Sequence, residues 1–153
     1  MKISTRGHYA VQALVDMALN CGGAPTPLSV IAERQELSQN YLEQLFVKLR
    51  KAGLVRSVRG PGGGYLLDRP QELITIGDIF AAVEETLIIT DCADKASAGA
   101  GQPCARASEC RTQTLWARLC QHFNELLFSI TLDDVAQGRI DLPATTALAK
   151  HAL

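Results

Sequence analysis

The chain has 153 residues, 47% of them hydrophobic and 20% charged, with a formal net charge of −1. That is the make-up of one globular domain, large enough to fold without disulfide staples. With no apolar run near the ~20 residues of a spanning helix, it excludes a membrane span, collagen and low-complexity disorder. The near-neutral average hides a split. Residues 1–70 carry nine Lys/Arg against five Asp/Glu, a net of +4, whereas residues 71–153 carry six against eleven, a net of −5. Such asymmetry points the first half toward a polyanion, with an ordinary solvated surface as the alternative.

Residues 5–19 place Tyr9, Ala10, Ala13, Leu14, Met17 and Ala18 at helical spacing. Lys2 and Arg6 ahead of this stretch, and Cys21 after it, give it a faint likeness to a cleaved leader. His8, Gln12 and Asp16 interrupt the apolar run, so the reading is an amphipathic helix of a cytoplasmic protein. Gly22-Gly23-Ala24-Pro25 then predicts a loop. A second helix is expected over 27–35, a short turn at Glu36-Leu37, and a third helix over 38–52 with Ser38 as N-cap and Gly53 as its stop. Two short strands, 54–58 and 65–67, flank Arg59-Gly60-Pro61-Gly62-Gly63-Gly64. Thr75 is placed to cap a helix over 76–85. Residues 90–111 read as an Ala-, Gly-, Ser- and Cys-rich loop. A long helix over 112–130 carries Leu115, Trp116, Leu119, Phe123, Leu126, Leu127 and Ile130 in steps of three and four. That stripe predicts a dimer seam, or else a helix packed on its own domain. Thr131 caps a last short helix to about 138, and residues 139–153 read as a flexible tail.

Three helices followed by a two-stranded ribbon make a mainly α fold with a small β-wing: a winged helix-turn-helix plus a long C-terminal dimerisation helix. The divisions are 1–85 for the DNA-binding domain, 86–111 for the cysteine-bearing loop, 112–138 for the dimerisation and terminal helices, and 139–153 for the tail. In this architecture the helix after the tight turn enters the major groove. Ser38, Gln39, Asn40, Glu43 and Gln44 offer hydroxyl, amide and carboxylate groups suited to base edges or phosphates, and Tyr41 adds a hydroxyl near the helix N-terminus. Glu43 accepts from a cytosine amino group but repels phosphate, which suits rejection of wrong sequences. Arg56, Arg59 and Gly60 mark the ribbon, where backbone can pass close to another surface and a guanidinium suits a narrow minor groove. A nucleotide-binding loop would end in Gly-Lys-Ser/Thr, and this run ends in Gly64-Tyr65.

Tyr41-Leu42-Glu43-Gln44-Leu45-Phe46, Leu49-Arg50-Lys51, Gly53-Leu54-Val55 and Arg59-Gly60-Pro61-Gly62-Gly63-Gly64-Tyr65-Leu66-Leu67 together resemble the Rrf2 family of bacterial transcription regulators, most closely its iron–sulfur regulator (IscR-like) branch, over about residues 1–135. The resemblance implies a homodimer on near-palindromic promoter DNA, with Ser38, Tyr41, Glu43, Gln44 and Arg59 on DNA-contacting positions. Iron–sulfur biogenesis proteins are further candidate partners.

Five cysteines without regular disulfide spacing favour metal or redox chemistry in a reducing compartment. Cys92, Cys104 and Cys110 follow a C-x11-C-x5-C spacing, which by itself fits an iron–sulfur cluster, zinc or three unrelated thiols. The family resemblance selects a cluster, [2Fe–2S]. It departs from the family pattern in two ways. An insertion around 96–102 lengthens the first spacing, which a loop tolerates. Gln113 stands where the pattern has a histidine ligand, and an amide is a poor iron ligand. His8 of the partner subunit is the favoured fourth ligand and Gln113 the weaker one; His122 lies more than two helical turns past Gln113. The rivals are a cluster-free Rrf2-type regulator controlled by thiol oxidation or a partner protein, and a small iron–sulfur electron-transfer protein. With no nucleophile–base motif and no nucleotide loop, an enzyme is not expected.

Overall fold

The computed structural model describes residues 3–85 and 110–140. Its helices are α1 (Thr5–Asn20), α2 (Leu28–Gln35), α3 (Gln39–Lys51), α4 (Ile76–Ala82), α5 (Gln113–Ser129) and α6 (Leu132–Ala136), with β1 (Val55–Val58), β2 (Gly64–Leu67) and a 3-10 turn at Gln71–Leu73. The sequence patterning places every helix and both strands; the 3-10 turn is the unexpected element. Cys92, Cys104 and the tail beyond residue 140 lie outside the described residues.

The apolar faces of α1, α2 and α3 converge on one core. Leu14, Ile31, Leu42, Phe46, Leu49, Leu54, Ile79, Val83 and Leu132 are wholly or almost wholly buried in it. Each such side chain contributes about 2 kcal/mol on removal from water. Leu132 belongs to α6, so the chain returns to this core after α5. The return is fixed by backbone bonds: Ile76 N–H donates to the Ile130 carbonyl (2.9 Å) and Leu132 N–H to the Ile74 carbonyl (2.7 Å). Thr75 and Thr131 face each other across that bridge, and each caps its own helix. Both make a reciprocal capping box, Thr75 with Asp78 and Thr131 with Asp134. The Thr131 hydroxyl heads the interactions that hold the Asp134 carboxyl below its ordinary range.

Three helices end in the same way. In each, a residue two or three past the helix donates back five positions: Leu37 to Ala32, Leu54 to Leu49, Glu85 to Phe80. This closure needs a left-handed residue just before the donor, normally glycine. Gly53 supplies it after α3 (φ 70°), but Glu36 (φ 53°) and Glu84 (φ 57°) stand there after α2 and α4. A side chain in that conformation costs about 1 kcal/mol. The turn at Glu84 also ends α4 at Ala82, three residues short of the sequence expectation. It sends the chain to α1, where Glu85 accepts from the Ser4 N–H (2.9 Å) and from the Ser4 hydroxyl. Burial pushes the Glu85 carboxyl up, but the Ser4 bonds together with the Arg6 charge and the Gly7 N–H leave the group below its ordinary range.

A polar chain centred on the buried Asp16 joins α1 to the end of α2, just before the turn into α3. The Asp16 carboxylate accepts from Asn20 Nδ2 and Gln35 Nε2, both at 2.9 Å, and pairs with Arg34 Nη2 at 2.8 Å. Gln12 Nε2 donates to Gln35 Oε1 at 2.9 Å.

Candidate nucleic-acid interface

α3 follows the tight Glu36-Leu37 turn, and its apolar stripe of Leu42, Leu45, Phe46 and Leu49 faces the core. That fixes the opposite face outward. Ser38, Gln39, Asn40, Glu43 and Gln44 are all exposed on it. Ser38 holds the N-cap position, as expected, but its hydroxyl makes no capping hydrogen bond. The first-turn N–H groups of α3 therefore keep their attraction for an anion. Gln39 Nε2 donates to Glu43 Oε1 at 3.1 Å, so two of the long polar side chains of the face are tied together. Tyr41 differs from the rest. It is half-buried against the core, its ring edge-on to Tyr9 with centroids 5.9 Å apart. Tyr9 in turn lies 5.5 Å from the ring of His8, which is exposed. Three rings thus run from His8 to the first turn of α3.

The ribbon is antiparallel, pairing Val55 with Leu67 through Val58 with Gly64. Arg59 and Gly60 lie exposed at its tip, where Gly60 (φ 108°) and Gly62 (φ 74°) make the turn. Arg56 is further back, beside the root of the ribbon, and faces Asp68 at 3.6 Å. It also lines a cavity of about 220 Å³ with Met17, Cys21 and Gln71. The two arginines are therefore not equivalent: Arg59 is presented at the tip, and Arg56 is drawn toward a carboxylate.

The ribbon is anchored by main chain. Thr26 N–H donates to the Tyr65 carbonyl (3.0 Å) and Tyr65 N–H to the Thr26 carbonyl (2.9 Å). Phe46 of α3 meets the Tyr65 ring at 4.9 Å, locking helix and ribbon into one surface. Sequence reasoning missed three supporting residues. Arg69 donates to the carbonyls of Gly53 (3.1 Å) and Ala52 (3.2 Å), satisfying the C-terminal end of α3. Thr26 donates its hydroxyl to Cys21 Sγ as well as docking the ribbon. Lys48 of α3 donates to Glu84. The residues of the first two lie in loops with no periodicity; strand pairing brings Arg69 to the end of α3, whereas Thr26 and Cys21 meet within one short loop.

Cys110 lies half-buried three residues before Gln113, the first residue of α5, with its Sγ 3.3 Å from Thr112 Oγ1. Among the described residues no group of three or more His, Cys, Asp or Glu side chains is arranged to hold a metal ion. α5 itself is two-faced. Cys120 is buried, and Phe123, Leu127 and Ile130 pack against the core, whereas Leu115 and Leu126 are about half exposed. The helix therefore packs one face on its own domain, while Leu115 and Leu126 leave another face apolar and exposed. His122 faces solvent and pairs with Glu125 at 3.3 Å. Among the described residues no helix is long and apolar enough to cross a membrane.

A recognition-type helix, a glycine-tipped ribbon with an arginine, and a basic N-terminal half define a winged-helix DNA-binding transcription regulator, not an enzyme. The chain belongs to the Rrf2 family: the family model, described as an iron-dependent transcriptional regulator, matches residues 3–138. It is 47% identical over 135 residues to the HTH-type transcriptional regulator IscR of Vibrio vulnificus, covering 88% of this chain and 77% of that one. Among solved structures it is similar to T. potens IscR, with 41% identity, a TM-score of 0.71, and coverage of 91% of this chain and 88% of the other. It is also similar to CymR, the global cysteine regulator of B. subtilis, at 36% identity and a TM-score of 0.72, covering 90% and 98% of the two chains. Within the family it is an IscR-like regulator.

Proposed function

We propose that the chain is a homodimeric regulator of promoter DNA whose operator binding follows iron–sulfur status. In this reading Cys92, Cys104 and Cys110 hold the cluster, as [2Fe–2S], and His8 of the partner subunit supplies the fourth ligand, with Gln113 the weaker candidate. The observation that carries it is where the cysteine segment sits. It connects α4, which is tied to α3 through Glu84 and Lys48, with α5, whose Leu115 and Leu126 face outward. A change in that segment acts on both the dimer face and the DNA-reading helix. Three thiolates in one segment fit an iron–sulfur cluster. When bound, such a group supplies sensitivity to oxidant and to iron supply. His8 is exposed and its ring neighbours Tyr9, which neighbours Tyr41, so in this reading ligation at His8 is felt at the first turn of α3. Gln113, as the first residue of α5, is less suited to bind iron because its amide is neutral.

Ser38, Gln39, Asn40, Tyr41, Glu43 and Gln44 form the groove-reading face. Arg59 and Gly60 form the tip of the wing, and Arg56 supports it from the root. Arg59→Ala is expected to weaken binding to all duplexes, and to lower the slope of log affinity against log salt by about 1. Glu43→Ala is expected to shift base preference with little change in salt slope, as read by selection from a randomised duplex pool.

The cluster is tested on protein purified without oxygen. A red-brown protein with sulfide-to-iron absorption bands is expected, together with loss of most of the iron from each of the Cys92→Ser, Cys104→Ser and Cys110→Ser proteins. Protein that stays colourless after reconstitution with iron and sulfide would assign the three cysteines to a thiol switch or to zinc. Sedimentation of wild-type and Leu115→Glu/Leu126→Glu proteins reads the dimer separately.

A further inference from the structure

We infer that Glu84 is a positioning residue for the DNA-reading helix, and that α4 is the rod through which the position of α5 reaches α3. The inference rests on the DNA-binding reading of α3.

α4 is held at both ends. Near its start, Gly77 lies beneath the Phe128 ring of α5, so closely that a Cβ there would fall 2.5 Å from the ring. Beyond its end, the Glu84 carboxylate accepts from Lys48 Nζ of α3. The next residue, Glu85, takes the backbone N–H and the hydroxyl of Ser4 at the start of α1. One short helix therefore meets the helix with the uncovered apolar face, the DNA-reading helix and the first helix. Lys48 lies one helical turn beyond Gln44, so the tie reaches the same helix that carries the groove-reading face.

The backbone at Glu84 shows what the side chain is for. The left-handed closure of α4 is met without strain by glycine, and Glu84 occupies it at φ 57°. The ion pair is open to solvent, with the Glu84 side chain 72% exposed and that of Lys48 34% exposed, and such pairs stabilise a fold very little. Neither helix closure nor stability calls for a glutamate here; the tie to Lys48 does. Lys48 is also the leading cause that keeps the Glu84 carboxyl below its ordinary range, so the carboxylate is charged at neutral pH.

The test uses the full chain and two labelled duplexes of equal length, one selected by the wild-type protein from a randomised pool and one non-specific. Fluorescence anisotropy of Glu84→Gln is expected to show about tenfold weaker binding to the selected duplex and unchanged binding to the other. The paired swap Glu84→Lys with Lys48→Glu is expected to recover part of that loss. Glu84→Gly is expected to raise the thermal midpoint, by relieving the left-handed residue, while still lowering selectivity. If Glu84 merely contributes negative charge near DNA, its removal strengthens binding to both duplexes alike. If the pair is only a surface contact, neither affinity moves. Either result overturns the inference, as does a Glu84→Gly protein of lower stability. A wild-type chain that selects no duplex overturns the DNA-binding reading, and this inference with it.

Discussion

Replacing Gly64 by alanine is expected to cost about 3 kcal/mol of stability and most of the operator affinity. A Cβ at this position would lie 2.3 Å from the Thr26 carbonyl carbon, 2.4 Å from its oxygen and 2.6 Å from Pro27 nitrogen. These are main-chain atoms of the loop before α2, and they cannot rotate away as a side chain would. Overpacking of this kind costs about 1–3 kcal/mol. Relief by separation would break the two Thr26–Tyr65 hydrogen bonds, each worth about 1 kcal/mol net. It would also pull Tyr65 from Phe46, so the ribbon that carries Arg59 would lose its fixed place beside α3. Gly62→Ala is the control. Nothing lies within 4 Å of a Cβ there, and only the left-handed backbone at φ 74° penalises it, by about 1 kcal/mol. Urea unfolding of the two variants checks the ranking, and equal losses would contradict the close-approach argument.

Asp16→Ala is expected to destabilise the protein by about 3 kcal/mol, because it removes the buried acceptor at the centre of a polar chain. Asp16 is 2% exposed, and its carboxylate serves Asn20, Gln35 and Arg34. Without it, the Gln35 amide loses an acceptor in a place water does not reach freely. Gln35 is the last residue of α2, immediately before the left-handed Glu36, so the orientation of α3 is expected to loosen as well. Asp16→Asn keeps the shape and one acceptor oxygen, and a loss of about half as much is expected. Denaturant melts of the two variants, with DNA affinity measured alongside, separate the loss of charge from the loss of the network.

The elements with strong periodicity could be read from sequence. The stripes of α1 and α3 bury the residues that the 3.6-residue repeat places on one side, α5 turns only part of its stripe inward and leaves Leu115 and Leu126 half exposed, and the glycine run marks the wing. Thr75 and Thr131 were recognisable because a threonine followed three residues later by a carboxylate satisfies two helix-end donors at once. Ser38 resembled them by position, but Tyr41 stands where the returning carboxylate would be, and the hydroxyl does not cap. The early end of α4 had no local signal. Glu84 is an ordinary helix former, and what surrounds its left-handed turn, the Glu85 bonds to Ser4 and the Lys48 pair, is made across 81 and 36 residues of sequence. Arg56 and Arg59 looked alike in sequence. The pairing register separates them, since it sets Arg56 opposite Leu66 and near Asp68 and leaves Arg59 at the tip. Of the candidate cluster ligands, Cys110, His8 and Gln113 fall within the described residues, and their meeting depends on Cys92, Cys104 and a second subunit.

The return of α6 to the core bears on the order of events during synthesis. Leu132 is fully buried in the core, where α6 packs against α1 and the 3-10 turn, and its backbone is bonded to Ile74. Residues 3–85 therefore do not close their own core: a chain that stops short of Thr131 leaves the space of Leu132 unfilled and the Ile74 carbonyl without its donor. The last step of folding waits for a segment that is translated after α5.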